Sequence, residues 1–273
     1  MIFITCALHC EAKPLIERYR LVSDREAFFP VFKNNDLTLV VTGVGKLLTA
    51  SAMAYVYARY NEPVIAAWLN VGIAGKKCAS IGELYNINKV SERSSSTNWY
   101  PVRLPEISST LNCQVITLDA PDNNYSEHGA YDMEASAFMV TALRFSPVEL
   151  VQLVKIISDN ENSAIEDIDK KFVTGLISNK IVEVDVVVEA LKSALNSFES
   201  AYGESVMYAQ CIAKWRFSEY QKKHLFRTLQ QWQALDENAG MPALESLQTA
   251  KQVVAFIDES LGSTKIMFEK TND

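Results

Sequence analysis

The feature that most constrains the fold of this chain is the alternation of strand-like and helix-like segments through its first 200 residues. Six segments have the length and composition of strands: residues 1–8, 37–42, 64–71, 84–90, 113–118 and 150–158. Three segments carry apolar residues at helical spacing: residues 46–60, 133–145 and 180–198. Strands that alternate with helices form layered domains around a largely parallel sheet. The sequence therefore predicts an α/β domain over residues 1–200.

The remainder of the chain, residues 201–273, has a different pattern. No segment after Ser200 resembles a strand, whereas residues 203–235 and 242–262 have helical spacing. The second helix is expected to begin at Pro242, because proline suits the first turn of a helix. We interpret this region as a helical extension that packs on the α/β domain, with a separate interaction module as the alternative.

Composition and charge exclude several classes of protein. The chain has 26 basic and 33 acidic residues, a net charge of −7, whereas proteins that bind nucleic acid show a basic surplus. No apolar stretch reaches the roughly 18 residues of a membrane-spanning helix, and no basic region precedes the apolar N-terminus. We therefore expect no membrane span and no secretory signal. Five scattered cysteines predict free thiols and a cytoplasmic protein.

Metal binding is the weaker interpretation of a small cysteine and histidine cluster. Cys6, His9 and Cys10 lie close together in the sequence, but the chain has three histidines in all and no second Cys-x-x-Cys cluster. Buried thiols explain this cluster better than a metal site does. We therefore expect neither a metal ion nor a cofactor.

Charged residues and glycines stand where predicted strands end and helices begin. These features are Glu11, Gly43-Val44-Gly45-Lys46, Gly72-Ile73-Ala74-Gly75, Ser158-Asp159 and Asp132-Met133-Glu134. Each one alone has a structural explanation, such as a tight turn or a helix cap. Together they stand where ligands bind in α/β sheets, outside the carboxyl ends of the strands. The sequence therefore predicts a ligand site at that edge of the sheet.

These segments, in this order, resemble the nucleoside phosphorylase/nucleosidase superfamily. The matching segments are Ala7-Leu8-His9-Cys10-Glu11, Thr42-Gly43-Val44-Gly45-Lys46, Asn70-Val71-Gly72-Ile73-Ala74-Gly75, Ile81-Gly82-Glu83-Leu84, Asp132-Met133-Glu134-Ala135-Ser136-Ala137 and Ile156-Ile157-Ser158-Asp159. The resemblance covers roughly residues 1–198. It is strongest to the 5′-methylthioadenosine/S-adenosylhomocysteine nucleosidases, although the Gly-Ile-Ala-Gly turn is more similar to the futalosine hydrolases.

This resemblance implies a fold and a substrate class. The implied fold is a three-layer, phosphorylase-like α/β fold with a mixed, largely parallel central sheet. The implied partner is a small-molecule purine nucleoside or a 5′-modified nucleoside, with phosphate as a second partner if the enzyme is a phosphorylase. A homo-oligomer is also implied, with a dimer favoured.

The resemblance further implies a role for each matching residue. Asp159 is expected to give a proton to the leaving base, and Glu11 is expected to polarise the attacking water. Glu134 is expected to bind the ribose hydroxyls, with Met133 packed beside the sugar. The rest of the expected substrate-binding set is Gly72, Ile73, Ser158 and Lys155.

Two residues depart from the family pattern and bear on the reaction. Ile73 stands where serine is common, and Lys155 stands where arginine is usual. Because Ile73 cannot hydrogen-bond a phosphate and Glu11 is present, we predict hydrolysis of the N-glycosidic bond. The alternatives are a purine nucleoside phosphorylase and a non-catalytic nucleoside-binding or interaction protein. Tyr125 and Tyr131 are the nearest candidates for stacking on the base.

Overall fold

A computed structural model describes residues 1–60, 65–107, 111–122, 124–163, 168–202, 206–236 and 238–270. The chain divides into two compact units, Met1–Asn196 and Ser197–Asp273. The first unit, called the α/β unit below, holds all the described strands. The second, called the helical unit, is built from helices alone in its described part.

The α/β unit combines strands and helices, as the sequence predicts, but the alternation is incomplete, since three strands lie between α1 and α2 and five lie between α2 and α3. Its strands are β1 (Ile2–Cys6), β2 (Val22–Asp24), β3 (Val31–Lys33), β4 (Leu37–Val41), β5 (Ala67–Lys76), β6 (Leu84–Glu92), β7 (Asn98–Trp99), β8 (Asn112–Thr117), β9 (Ala130–Asp132) and β10 (Val151–Asp159). Its helices are α1 (His9–Tyr19), α2 (Lys46–Tyr60), α3 (Ala135–Phe145), α4 (Lys170–Asn179) and α5 (Ile181–Tyr202), the last of which continues into the helical unit. The predicted strands and helices of this unit are confirmed, with residue 64 of the third predicted strand outside the described residues.

Strand β5 is the centre of the sheet, because three strands pair with it. It pairs with β1 and then β9 along one edge, and with β10 along the other. From β10 the pairing continues through β6 and β8 to β9, which returns to β5. These five strands form a closed barrel, from which β1, β4, β3 and β2 extend as an open sheet.

The predicted three-layer arrangement did not include this closure. The sheet is mixed, as predicted, but "largely parallel" is wrong, since half of its described strand pairings are antiparallel. Three of the antiparallel pairs, β2–β3, β3–β4 and β6–β7, join strands that are consecutive in the chain. Short connections of this kind favour antiparallel neighbours, and the periodicity of a strand does not reveal its partner.

Aromatic rings fill the core between the sheet and helices α2 and α3. Phe3 of β1 and Trp68 of β5 are fully buried and stacked, with ring centroids 4.7 Å apart. Tyr57 of α2 and Phe145 of α3 stack on each other at 4.0 Å, and both rings contact Trp68. The indole nitrogen of Trp68 donates to the hydroxyl of Ser146 at 3.1 Å, so this polar atom is satisfied inside the core.

Helices α1 and α4, which pack against each other, were not predicted from the sequence. Helix α1 contains Pro14, and helix α4 contains Gly175, and both residue types weaken a helical pattern. Helix α4 begins within the predicted loop 160–170, where the carboxylate of Asp169 accepts the backbone N–H of Phe172 at 2.6 Å. Residues 164–167 of that loop lie outside the described residues.

The helical unit differs in detail from its predicted form. Its helices are α6 (Val206–Lys214), α7 (Glu219–Leu235), α8 (Met241–Leu244) and α9 (Ala250–Lys270). The helix predicted over residues 203–235 is therefore two helices, and residues 203–205 lie outside the described residues. The break is set by Ser218, whose hydroxyl accepts the backbone N–H of Gln221 while the Gln221 side chain accepts that of Ser218. The helix predicted to begin at Pro242 is the short α8, followed by α9.

None of the described helices combines the length and apolar character that crossing a membrane requires. Within the same described residues, no group of three His, Cys, Asp or Glu side chains could hold a metal ion. All five cysteines are free thiols, including Cys6 and Cys10 of the cluster considered above.

We expect Phe3→Ala to lower the free energy of unfolding by about 3–5 kcal/mol, because it leaves a cavity beside the Trp68 ring in a closely packed core. Phe28→Ala is the matched control, since the Phe28 side chain is 92% exposed. Urea unfolding followed by near-ultraviolet circular dichroism measures both effects. Equal stability losses in the two variants would contradict the central position of Phe3.

Candidate active site

A cavity of about 200 Å³ opens at the carboxyl ends of strands β1, β5 and β10. Parallel strands end at the same edge of a sheet, so the segments that follow these strands converge there. Six of the predicted site residues line the cavity: Glu11, Ile73, Met133, Glu134, Ser158 and Asp159. The rest of the wall is largely apolar and consists of Ala7, Leu8, Val44, Gly75, Leu118, Pro121, Asp122, Tyr131 and Asp132.

Glu11 is fixed at the cavity by backbone groups from two elements. Its carboxylate accepts the N–H of Leu8, before α1, at 2.8 Å and the N–H of Ile73, in β5, at 2.9 Å. The side chain is buried, so Glu11 is not a solvent-exposed carboxylate at the start of α1. Burial raises the pKa of Glu11, although the two N–H donors and the charge of Lys155 oppose this shift.

A β-bulge aligns the charged residues of β10 with the glycines of β5. Lys155 lies opposite Gly72, and Asp159 lies opposite Gly75. Asp159 is four residues after Lys155 in β10, whereas Gly75 is only three residues after Gly72 in β5, so Ser158 is the extra residue of the bulge. Bulges of this kind redirect side chains and are common beside active sites.

The two glycines leave the space that the charged side chains occupy. A Cβ atom on Gly72 would lie 3.1 Å from Oε1 of Glu11 and 3.4 Å from Nζ of Lys155. A Cβ atom on Gly75 would overlap Oδ2 of Asp159. Gly72 itself does not line the cavity, so its role is to admit Glu11 and Lys155.

Lys155 lies behind the cavity wall and not in it. Its ammonium is buried and pairs with Oδ2 of Asp132 at 2.8 Å. Burial alone lowers the pKa of a lysine, but the carboxylates of Asp132, Glu134 and Glu11 together raise the pKa of Lys155 above its ordinary value. Lys155 therefore stays positively charged and balances part of the negative charge beside the cavity.

Asp132 has a structural role that its sequence position alone does not indicate. Its carboxylate accepts the hydroxyl of Thr117 at 2.9 Å and the backbone N–H of Ala135 at 2.8 Å, in addition to pairing with Lys155. Its place just before helix α3 was visible in the sequence as a helix-start carboxylate. Its pairing with a lysine from β10 could not be predicted from the sequence.

Glu134 precedes α3 and is held by the loop after β4. Its Oε1 accepts the backbone N–H of Gly45 at 2.7 Å, and Gly45 has a φ of +97°, a conformation that favours glycine. Burial and the nearby charge of Asp132 raise the pKa of Glu134 to about 7. Met133, beside it, is half-buried and presents an apolar surface to the same cavity.

Lys46, the last residue of the Gly-Val-Gly-Lys turn, secures this loop. Its ammonium pairs with Glu92 at 2.8 Å and with Asp119 at 2.5 Å. Glu92 also accepts the hydroxyl of Ser136, in the first turn of α3. The ion pair with Glu92 therefore connects the turn that holds Glu134 to the sheet, and the hydrogen bond from Ser136 connects the sheet to the helix that Glu134 precedes.

Asp159 ends β10 on the other side of the cavity and accepts two hydroxyl groups. Ser158 donates to Oδ1, and Tyr125 donates to Oδ2. The ring of Tyr125 stacks on Tyr131, with centroids 5.8 Å apart. Tyr131 lines the cavity, as expected of a residue that stacks on a base, whereas Tyr125 does not.

This geometry gives the cavity two chemically different sides. On one side, Glu11 and Glu134 offer carboxylate oxygens to hydroxyl groups or water. On the other side, the cavity is lined by the carboxyl group of Asp159 and the flat ring of Tyr131, which flank Gly75 of β5. Ile73 and Met133 provide apolar surface in the same cavity. A ligand with a hydroxylated part and a flat, nitrogen-bearing part would satisfy both sides.

The raised pKa of Glu134 predicts a pH-dependent stability. Between pH 4.5 and about 7 the folded state keeps a proton on Glu134 that the unfolded chain has lost. Stability should therefore fall as the pH rises through this window, by at most about 1.4 kcal/mol per pH unit from this group. Glu134→Gln, which can still accept the N–H of Gly45, should lose less stability than the wild type between pH 4.5 and 7. Urea unfolding at the two pH values tests this, and equal losses would contradict the assignment.

Comparison with known proteins places this architecture among solved nucleosidase structures. No protein-family model and no curated protein sequence matches the chain. The Arabidopsis thaliana 5′-methylthioadenosine nucleosidase is 15% identical, with a TM-score of 0.59 over 69% of this chain and 95% of that one. The Streptococcus pneumoniae MTA/SAH nucleosidase with 8-aminoadenine is 18% identical, with a TM-score of 0.55 over 70% and 98%. Over about two thirds of its length, the chain therefore has the fold of the 5′-methylthioadenosine/S-adenosylhomocysteine nucleosidases.

Proposed function

We propose that the α/β unit hydrolyses the N-glycosidic bond of a purine nucleoside or a 5′-modified nucleoside. The observation that carries this proposal is the convergence of Glu11, Glu134 and Asp159 on one small, largely apolar cavity. Three acidic groups from distant parts of the chain meet there, and each is buried. The shared fold with nucleosidases adds support, because this cavity lies at the edge of the sheet where α/β folds bind ligands.

Glu134 is assigned to the sugar. Its Oε1 is engaged by Gly45, but a carboxylate has further lone pairs that can accept the ribose hydroxyls. Met133 supplies the apolar surface beside the ring. Apolar packing together with a fixed acceptor would orient the sugar so that its anomeric carbon faces Glu11.

Asp159 and Glu11 are assigned to the bond cleavage. The bond between the anomeric carbon and the base nitrogen breaks, and its electron pair leaves with the base. Asp159 gives its proton to a ring nitrogen of the base, while a water oxygen bonds to the anomeric carbon and the water proton passes to Glu11. The raised pKa of Glu11 suits this role, because a general base is most effective when its pKa lies near the working pH.

Hydrolysis is favoured over phosphorolysis by the charges around the cavity. The carboxylate of Glu11 would repel a phosphate, and like charges a few ångströms apart cost on the order of 1–4 kcal/mol at the dielectric of a partly solvated site. The ammonium of Lys155, which a phosphate would need, is buried behind the wall and paired with Asp132. Ile73 offers no side-chain hydroxyl at the cavity.

Release of free base in phosphate-free buffer tests the proposal. Inosine, adenosine, methylthioadenosine and futalosine-like nucleosides form the panel, and chromatography detects the base and the sugar. Free base without phosphate is the expected result. Release that requires phosphate and yields ribose-1-phosphate would establish a phosphorylase. Nucleoside binding without release under either condition would establish a binding protein.

Two conservative variants test the residue assignments on whichever substrate is cleaved. Asp159→Asn and Glu11→Gln should each lower kcat by about 100-fold or more, the usual scale for acid–base catalysis, while nucleoside binding survives. Glu83→Gln is a matched control, because the Glu83 carboxylate bonds Tyr85 and Ser80 and does not line the cavity. Near-normal turnover in either test variant would remove that residue from the reaction.

A homodimer remains our proposal for the assembly. Helix α2 exposes Leu47 at 86% and Leu48 at 49%, and the neighbouring α3 exposes Val140. Exposed apolar side chains on adjacent helices are typical of a protein interface. Leu47→Asp should shift the protein from dimer to monomer in sedimentation velocity. Phe28→Asp should not, although the Phe28 side chain is also highly exposed. A monomeric wild type would contradict this proposal.

A further inference from the structure

Tyr125 makes a contact with Asp159 that the proposed reaction does not yet use. Its hydroxyl donates to Oδ2 of Asp159, although 34 residues separate the two in the sequence. Tyr125 is buried but does not line the cavity, so it reaches Asp159 from behind. A phenol hydroxyl in this position can influence a substrate only through the carboxyl group that it contacts.

The surroundings hold the Tyr125 ring in one place. The ring stacks on Tyr131, whose hydroxyl is fixed by the backbone N–H of Glu127 at 2.8 Å and by Arg93 at 3.3 Å. Gly75 provides the space on the other side, because a Cβ atom there would lie 3.0 Å from Cε1 of Tyr125. Substitution at Gly75 would thus displace Tyr125 and Asp159 together.

The backbone of Tyr125 is also in an unfavourable conformation. Its φ of +45° lies in the left-handed region, which residues other than glycine adopt rarely. Strained residues of this kind persist where the surrounding contacts enforce them, and they cluster at functional sites. The stacking on Tyr131 and the hydrogen bond to Asp159 are such contacts.

We propose that Tyr125 is a positioning residue that orients Asp159 and stabilises the carboxylate formed when Asp159 gives its proton to the leaving base. This inference rests on the proposed hydrolysis. The Tyr125 hydroxyl holds Oδ2 and the Ser158 hydroxyl holds Oδ1, so both oxygens of the Asp159 carboxyl group are fixed in orientation. The O–H bond of Asp159 breaks, the proton bonds to the ring nitrogen, and the electron pair stays on the carboxylate.

The hydrogen bond from Tyr125 strengthens as that negative charge develops, because bonds to ionised acceptors are stronger than bonds to neutral ones. Tyr125 keeps its own proton throughout. Burial and the adjacent Asp159 carboxylate raise the pKa of Tyr125 well above its ordinary value, so its hydroxyl remains a donor across the working range. The charged groups that face this pair are Asp122 and Glu161 beside Tyr125, and Glu11 and Glu134 across the cavity.

Tyr125→Phe tests this role, because it removes the hydroxyl and keeps the ring that packs on Tyr131 and Gly75. We expect kcat to fall about three- to tenfold, a fraction of the full effect of a general acid, with KM unchanged. A donor favours the ionised form of a carboxyl group. Without it, the carboxylate that forms during proton transfer is less stabilised, so the loss should appear in kcat and nucleoside binding should be unaffected.

Tyr85→Phe is the matched control, since it removes a tyrosine hydroxyl that donates to another carboxylate, Glu83, at 2.7 Å and away from the cavity. It should leave both kcat and KM as in the wild type. An unchanged kcat in Tyr125→Phe, or a loss of kcat accompanied by an equal loss of nucleoside binding, would overturn the role of Tyr125 and leave the hydrolysis intact. Absence of base release by the wild type would overturn the proposed function, and this role with it.

Discussion

The buried ammonium of Lys155 is the group on which the charged side of the cavity depends. Burying a carboxylate is costly unless a charge or several hydrogen bonds compensate it, and three carboxylates are buried close together here. Lys155 pairs directly with Asp132 and acts through its charge on Glu11 and Glu134. Backbone N–H groups supply the rest of the compensation. The site can thus hold acidic groups close to a ligand without contributing the lysine itself to the cavity.

Strand β5 makes this arrangement sterically possible. It is the strand at which the barrel closes and from which the open sheet extends, so residues from β1, β9 and β10 all meet beside it. Its two glycines face the two charged residues of β10, and the bulge at Ser158 brings those pairs into register. A side chain at Gly72 would press on Glu11 and Lys155, and one at Gly75 would displace Asp159. The two glycines of the Gly-Ile-Ala-Gly segment are therefore required by the packing of side chains behind the site as well as by the close approach of a ligand.

Much of the candidate site was predictable from the sequence, for a definite physical reason. Glu11, Ile73 and Asp159 follow or end apolar strands, and parallel strands present their ends at one edge, so order along the chain was enough to group them. Met133 and Glu134 were predictable from their place at the start of a helix. The sequence placed Lys155 and Gly72 in the substrate-binding set, but both lie behind the cavity wall, because strand register and not strand order sets their position.

By itself, the sequence determined the α/β class, most of the strands, the helical C-terminal region and the identity of the acidic residues at the strand ends. These follow from the periodicity of apolar residues, which is a local property. Tertiary structure alone decided the closure of the barrel and the even mixture of parallel and antiparallel pairs. It alone also decided the pairing of Asp132 with Lys155 and the contact of Tyr125 with Asp159. Each of these joins residues that are far apart in the chain, and partners of that kind are chosen by packing and by the need to compensate buried charge.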